Sequence, residues 1–139
     1  MLFILSILAV TAYSSMNTDS FNVVTEHERL KSVLRYAQMY AMKDEFQWRV
    51  DVDADQYTLQ RVTNTSGATQ DMVIPGIGTT HELGRVSVTS GTGIVSFDSR
   101  GRPYLDGNLL SSSHTISLKG TGSNDTLSIN ITAVTGYIR

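Results

Sequence analysis

The hydrophobic pattern of this chain changes near residue 46, from a helical period to a strand period. Before that point, apolar residues follow the i, i+3, i+4, i+7 spacing of one helix face: Leu30, Val33, Leu34, Ala37, Tyr40 and Ala41. After it, polar and apolar residues alternate, first over residues 46–52 and then over residues 57–62. A helix followed only by strands predicts an α+β fold, with an amphipathic helix packed on an antiparallel β-sheet head.

The amphipathic helix is expected over residues 21–44. Asp19 or Ser20 can cap its start, or Thr25 and Glu28 can form a capping box within it. Lys43 suits the last turn because a cation there favours the helix dipole.

The strands of the head are expected over residues 46–139. The pattern predicts a single strand at 72–74 and three hairpins, which pair 46–52 with 57–62, 86–88 with 94–97, and 115–118 with 126–131.

The N-terminal residues 2–12 form an uncharged apolar run of 11 residues. A helix that spans a bilayer needs about 20 such residues, so this run alone is too short. It could be a signal-peptide core, although no Lys or Arg precedes it, or a helix buried in the globular core. We favour the end of a longer apolar helix whose beginning lies outside the sequence, since this accounts for both the length and the missing basic residues.

On that interpretation the chain divides into a helical stem, residues 1–20, and a globular head, residues 21–139. Residues 13–20 are polar and poor in helix formers, and they predict a break between the two helical pieces. The stem side chains expected to pack in a membrane or filament are Leu2, Phe3, Ile4, Leu5, Ile7, Leu8 and Val10.

The composition makes several kinds of function unexpected. The net charge is −2, from 11 basic and 13 acidic residues, so the chain lacks the basic excess typical of nucleic-acid-binding proteins. It contains no cysteine, which excludes disulfides, thiolate chemistry and cysteine-based zinc sites.

No residue pattern predicts catalysis, a cofactor or a metal. Asp51, Asp53 and Asp55 begin like a calcium loop, but Gln56 and Val62 stand where glycine and glutamate are needed. A solvated hairpin turn is the expected structure there. The three histidines, His27, His81 and His114, are far apart in sequence and are expected on the surface. The chain is therefore not expected to be an enzyme.

Two segments of the head resemble a known family. Residues 93–103, Gly-Ile-Val-Ser-Phe-Asp-Ser-Arg-Gly-Arg-Pro, resemble the G-x-I-x-F-D-x-x-G-R-P stretch of GspH/FimT-type minor pilins, and residues 135–139, Thr-Gly-Tyr-Ile-Arg, are similar to the usual ending of that family. The head positions that carry the resemblance are Phe97, Asp98, Gly101, Arg102, Pro103, Gly136 and Tyr137.

The resemblance implies a subunit that assembles through its N-terminal helix into a type II secretion pseudopilus or a type IV pilus. Its partners would be other pilins or pseudopilins, the inner-membrane assembly platform, and membrane lipid before assembly. The implied location is the bacterial inner membrane with a periplasmic head. Some FimT-like members are associated with DNA uptake, but the C-terminal region here offers only Lys119 and Arg139 as cations. Nucleic acid is therefore not an expected partner.

The start of the chain departs from the family. Members begin with a short leader ending in glycine, followed by a Phe-Thr-Leu-Ile-Glu segment where prepilin peptidase acts, whereas Met1 aligns inside the apolar helix. The processing site is therefore expected upstream of Met1. Outside the resemblance, the alternative is a secreted β-rich binding module whose signal peptide is removed.

Overall fold

The computed structural model describes residues 18–139, with side chains described from Phe21 onward. The seven stem residues expected to pack in a membrane or filament lie outside this part. Helix α1 spans Thr18–Lys43, three residues earlier at its start than expected. The capping-box prediction at Thr25 is wrong, because Thr25 lies inside α1 and its hydroxyl donates to the Phe21 carbonyl at 2.9 Å. In the described part of the chain no helix is both long enough and apolar enough to span a membrane.

Ten strands follow the helix and form two antiparallel sheets. The strands are β1 Trp48–Val52, β2 Gln56–Val62, β3 Thr69–Asp71, β4 Thr80–Glu82, β5 Val86–Ser90, β6 Gly93–Phe97, β7 Pro103–Leu105, β8 Asn108–Leu109, β9 His114–Gly120 and β10 Thr126–Ile131. The first sheet has the order β3-β2-β1-β6-β7-β8, with β4 also paired to β2. The second has the order β10-β9-β5. This helix-on-sheet arrangement confirms the predicted α+β class.

The core lies between α1 and the two sheets. The helix contributes its buried stripe, which includes Leu30, Leu34 and Ala37, and both sheets contribute alternate residues such as Val50 and Ile116. Helix α1 packs against β1 and β6 of the first sheet and β5, β9 and β10 of the second. The helix is therefore the element that joins the two sheets.

Two of the three predicted hairpins form and one does not. Strands β1 and β2 pair as expected, and so do β9 and β10. The predicted hairpin of 86–88 with 94–97 is wrong, because β5 pairs with β9 in the second sheet and β6 pairs with β1 in the first. The chain crosses between the sheets at Gly91, which has a φ of 83° and lies so close to β9 that a Cβ would clash with the Thr115 carbonyl.

The strand predicted at 72–74 is also absent. The neighbouring strand β3 ends at Asp71, although the Met72 N–H still donates to the Leu59 carbonyl of β2 at 2.8 Å. Ile74 forms only an isolated bridge with Gly78. The apolar run Met72-Val73-Ile74 instead leads into a turn that rests beside α1, where Ile74 is buried. Burial of one side chain in a turn imitates the sequence pattern of a short strand.

Candidate functional site

The first family-like segment forms a tight turn after β6. Phe97 is buried at the end of β6, between Trp48 on β1 and Pro103 on β7. Asp98 then holds the turn, because its Oδ1 accepts the backbone N–H groups of Arg100 and Arg102 at 2.9 Å each. Its Oδ2 accepts the Arg102 side chain at 2.7 Å. Asp98 and Arg102 therefore fix the shape of the turn between β6 and β7.

These contacts determine the charge state of Asp98. Burial disfavours the carboxylate, but the hydrogen bonds from the Arg102 backbone and side chain and from the Arg100 backbone outweigh it and lower the pKa of Asp98. Asp98 is thus an ionised structural anchor at neutral pH.

The second family-like segment lies directly against the first, and α1 joins them. The Gln38 side-chain amide donates at 3.0 Å to the carbonyl of Gly101 and at 3.0 Å to that of Gly136. Both glycines are buried and have positive φ, 76° and 69° respectively. A Cβ on Gly136 would clash with the Gly101 carbonyl and lie 2.6 Å from the Gln38 nitrogen. Glycine is therefore required by both the backbone conformation and the close approach.

The C-terminal residues close the head. Arg139 exchanges two backbone hydrogen bonds with Asn130 of β10, at 2.9 and 3.0 Å. Ile138 is buried, and its carbonyl accepts a hydrogen bond from Arg35 of α1 at 2.9 Å. The tail thus ties the second sheet to the helix, and Gln38 adds the β6–β7 turn of the first sheet to the same point. We call this meeting point of Gln38, Gly101 and Gly136 the glycine junction.

The surface around the glycine junction is apolar and exposed. Tyr137 and Val134 lie on the tail and Met42 on the helix, and all three are exposed. The Met42 sulfur lies 3.0 Å from where a Cβ on Gly101 would be. Of the seven head positions that carry the resemblance, Tyr137 is the most exposed, at 62%. The Arg102 side chain is 38% exposed, and the other five positions are buried or partly buried.

The histidines hold α1 in place, so the prediction that they lie on the surface is wrong for His27 and His81. Their side chains are 12% and 15% exposed. His27 Nε2 contacts the Ser128 carbonyl of β10 at 2.9 Å, and His81 Nε2 contacts Glu26 of α1 at 2.7 Å. His27 thereby attaches α1 to the second sheet, and His81, which lies on β4, attaches α1 to the first sheet. His114, in turn, contacts the Gly91 carbonyl at the crossing between the sheets, at 3.0 Å.

The remaining features of the described residues are a turn, the distribution of metal-ligating side chains and a groove. Residues 53–55 make an exposed turn between β1 and β2, as predicted. Within the described part of the chain, no group of three or more histidine, aspartate and glutamate residues could hold a metal ion. A groove of about 530 Å³ runs between α1 and the turn at residues 74–77, and it includes Val33, Tyr36, Ile74 and Ile77. Glu28, Arg29 and Ser32 of α1 also line the groove, so its lining combines apolar and polar side chains.

Gln38 and Asp44 make contacts that the sequence did not predict. Asp44 follows α1 directly and accepts two hydrogen bonds from the Arg61 guanidinium of β2, one of them at 2.8 Å. Its Oδ2 also accepts the indole N–H of Trp48 at 2.9 Å. A polar residue at a helix end is too common to predict such contacts, and Gln38 lies off the apolar stripe that identified the helix. Neither residue therefore had a sequence signal.

Comparison with known proteins supports the fold. No protein-family model matches the chain, and no curated protein matches it. Among solved structures, the fold is similar to that of the minor pseudopilin EpsH from the Type 2 Secretion System of Vibrio cholerae, with a TM-score of 0.64. The match covers 85% of this chain and 94% of that one, at 12% sequence identity. The described fold is thus pseudopilin-like.

Proposed function

We propose that this chain is a pilin-like subunit that assembles through its N-terminal helix into a filament, either a type II secretion pseudopilus or a type IV pilus. The observation that carries the proposal is the pseudopilin-like fold, a long helix that leads into a β head over 85% of the chain. The finer assignment, to the GspH/FimT-type minor pilins, rests on the resemblance of residues 93–103 and 135–139.

The glycine junction supports a structural role rather than an enzymatic one. It brings the two family-like segments together on α1, and hydrogen bonds of Gln38, Arg35 and Asp98 hold them there. Such a head moves as one body with the helix that carries it. In the proposed function, the exposed Tyr137 beside this junction contacts the neighbouring subunits.

The proposed role of the stem follows from its lack of charge. An apolar helix is stable in lipid or at the centre of a helical bundle, because both keep it away from water. The subunit would wait in the bacterial inner membrane with its head in the periplasm, and then move its stem into the filament. Leu2, Phe3, Ile4, Leu5, Ile7, Leu8 and Val10 would make the contacts, with other pilins or pseudopilins and the assembly platform as partners. A prepilin peptidase would act first if a leader is encoded upstream.

A charge placed in the stem tests this proposal. Leu5→Lys is expected to reduce both membrane retention and incorporation into sheared filaments at least tenfold, since a lysine at the centre of an apolar helix costs about 3 kcal/mol. The full chain is expressed in a bacterium that carries the assembly machinery, and membrane and filament fractions are quantified. Thr79→Lys, at an exposed position of the head, is the matched control and should behave as wild type.

Two results would overturn the assignment. Equal membrane and filament recovery for Leu5→Lys and wild type would remove the role of the stem. N-terminal sequencing that shows cleavage near Ala12 would instead identify a secreted β-rich binding module. Salt-dependent binding of the purified head to duplex DNA would favour a DNA-uptake minor pilin over a structural one.

A further inference from the structure

One face of α1 is exposed from Phe21 to Met42. The residues on this face, which we call the outer stripe, are Phe21, Val24, Glu28, Ser32, Arg35, Met39 and Met42. At 3.6 residues per turn they fall within an arc of about 80°, opposite the buried stripe. Neither sheet covers this face, because both pack on the other side of the helix.

The outer stripe is apolar at both ends and charged in the middle. Phe21 and Val24 are 72% and 51% exposed, and Met39 and Met42 are 42% and 54% exposed. Between the two apolar ends lie Glu28, whose side chain is 61% exposed, and the exposed Arg35. The four large exposed apolar side chains therefore form two small groups, one at each end of the outer stripe. Grouped exposed apolar side chains, unlike single scattered ones, favour an interaction site.

The order of residues along the outer stripe is complementary to itself when reversed. Phe21 and Met42 are equally distant from the point between Lys31 and Ser32, and the same holds for Val24 and Met39. Glu28 and Arg35 are equally distant from that point as well, and they carry opposite charges. A two-fold axis at this point would therefore place each apolar residue against an apolar one and each charge against its opposite.

We propose that the outer stripe binds a second copy of this chain, with the two α1 helices antiparallel. Phe21 of one copy packs on Met42 of the other, Val24 packs on Met39, and Ser32 lies beside the two-fold axis. Glu28 pairs with Arg35 twice, once on each side of the axis. Arg35 can do so while it donates to the Ile138 carbonyl at 2.9 Å, because its guanidinium has five donors.

This pair goes beyond the proposed function and is a separate state. The two copies of Phe21, the residue of the outer stripe nearest each stem, lie about 31 Å apart at opposite ends of the pair. Stems that run side by side in one direction require parallel α1 helices, whereas the helices of this pair are antiparallel. The pair is thus distinct from the membrane-inserted subunit of the proposed function, and the two copies separate before their stems insert side by side in a membrane or a filament.

Disulfide cross-linking tests the pair directly, because the natural chain contains no cysteine. Ser32→Cys in the full-length chain in detergent should form a disulfide-linked dimer, since its two copies meet at the axis. Glu28→Cys mixed with Arg35→Cys should link to each other in preference to themselves. Phe21→Cys alone should remain monomeric, because its two copies are about 31 Å apart, and the exposed Thr79→Cys is the control for random collision.

A charge exchange tests the register without cysteine. Glu28→Arg should raise the dimer dissociation constant about tenfold or more, measured by sedimentation velocity, because it places two arginines together on each side of the axis. Glu28→Arg combined with Arg35→Glu should restore association, and circular dichroism checks that each variant is folded. A monomer at every concentration, or self-linking of Phe21→Cys, which indicates parallel helices, would overturn the proposal. Association that ignores the charge at residue 28 would overturn it too.

Discussion

At the scale of single residues, Asp44 shows how one carboxylate joins the helix to the first sheet. The two hydrogen bonds from Arg61 lower the pKa of Asp44 far below its usual range, against the opposing effect of burial, and the Trp48 indole lowers it further. The backbone N–H of Glu45 also donates to Asp44, at 2.8 Å. These contacts hold the chain at the point where its period changes from helix to strand.

Replacement of this carboxylate should change both stability and its pH dependence. Because the pKa of Asp44 is depressed in the folded state, its contribution is fully present above its unfolded pKa of about 3.9 and is lost as pH falls below that value. Asp44→Asn should reduce the free energy of unfolding by about 2 kcal/mol at pH 7, and by less at pH 3. Urea unfolding at both pH values measures this. Asp55→Asn, in the exposed β1–β2 turn, is the control, and equal losses for the two variants at pH 7 would contradict the role of Asp44.

At the scale of elements, the glycine junction shows how helix, turn and tail depend on one another. Among the described residues, no hydrogen bond joins the Gln38 side chain to another residue of α1. Its amide donates to two carbonyls, 63 and 98 residues further along the chain. The two carbonyls can reach one amide only because the backbone bends sharply at Gly101 and Gly136. A side chain at either glycine would separate the elements that meet there.

Alanine at Gly136 tests this dependence against a matched glycine. Gly136→Ala and Gly107→Ala both place a side chain at positive φ, 69° and 84°, which costs about 1–2 kcal/mol. Only Gly136→Ala also meets neighbouring atoms, whereas nothing lies within 4 Å of a Cβ on Gly107. The free energy of unfolding should therefore fall by at least about 1 kcal/mol more for Gly136→Ala than for Gly107→Ala in urea titrations. Equal losses in the free energy of unfolding would show that the tail moves to accommodate the new Cβ at residue 136 without any loss of stability.

At the scale of the whole molecule, α1 makes one core out of two sheets. The first sheet contains β1–β4 and β6–β8, and the second contains β9 and β10 from the end of the chain. Strand β5, which comes just before the crossing at Gly91, also belongs to the second sheet. Helix α1 packs on strands of both sheets. A loss of packing on the buried stripe of the helix should thus be transmitted to both sheets together.

Leu34 is the residue on which to test this coupling. It is fully buried, and Leu34→Ala should lower the free energy of unfolding by about 2–5 kcal/mol. Trp48 fluorescence reports on the first sheet, and amide exchange at Ile116 and Ile129 reports on the second. Both midpoints should shift to the same lower urea concentration. Leu109→Ala, at an exposed leucine, should leave the free energy of unfolding reported by each probe within about 0.5 kcal/mol of wild type. Separate transitions for the two sheets would contradict a single core.

The elements whose signals are local could be predicted from the sequence. The spacing of Leu30, Leu34 and Ala41 identified the helix and its buried face, and alternation identified the β1–β2 and β9–β10 hairpins, because pairing partners lie next to each other in the chain. The seven family-like head positions were also found in sequence, although what they contact was not.

The contacts between distant segments could not be predicted from the sequence and are known only from the folded structure. The partner of β5 is β9, the burial of Ile74 is in a turn, and Gln38, Asp44 and His81 each bind a residue far along the chain. Such pairings depend on which surfaces meet after the chain collapses, and hydrophobic periodicity carries no information about that choice. The outer stripe differs from these contacts. The order of its residues can be read from the sequence, but only the fold shows that neither sheet covers it.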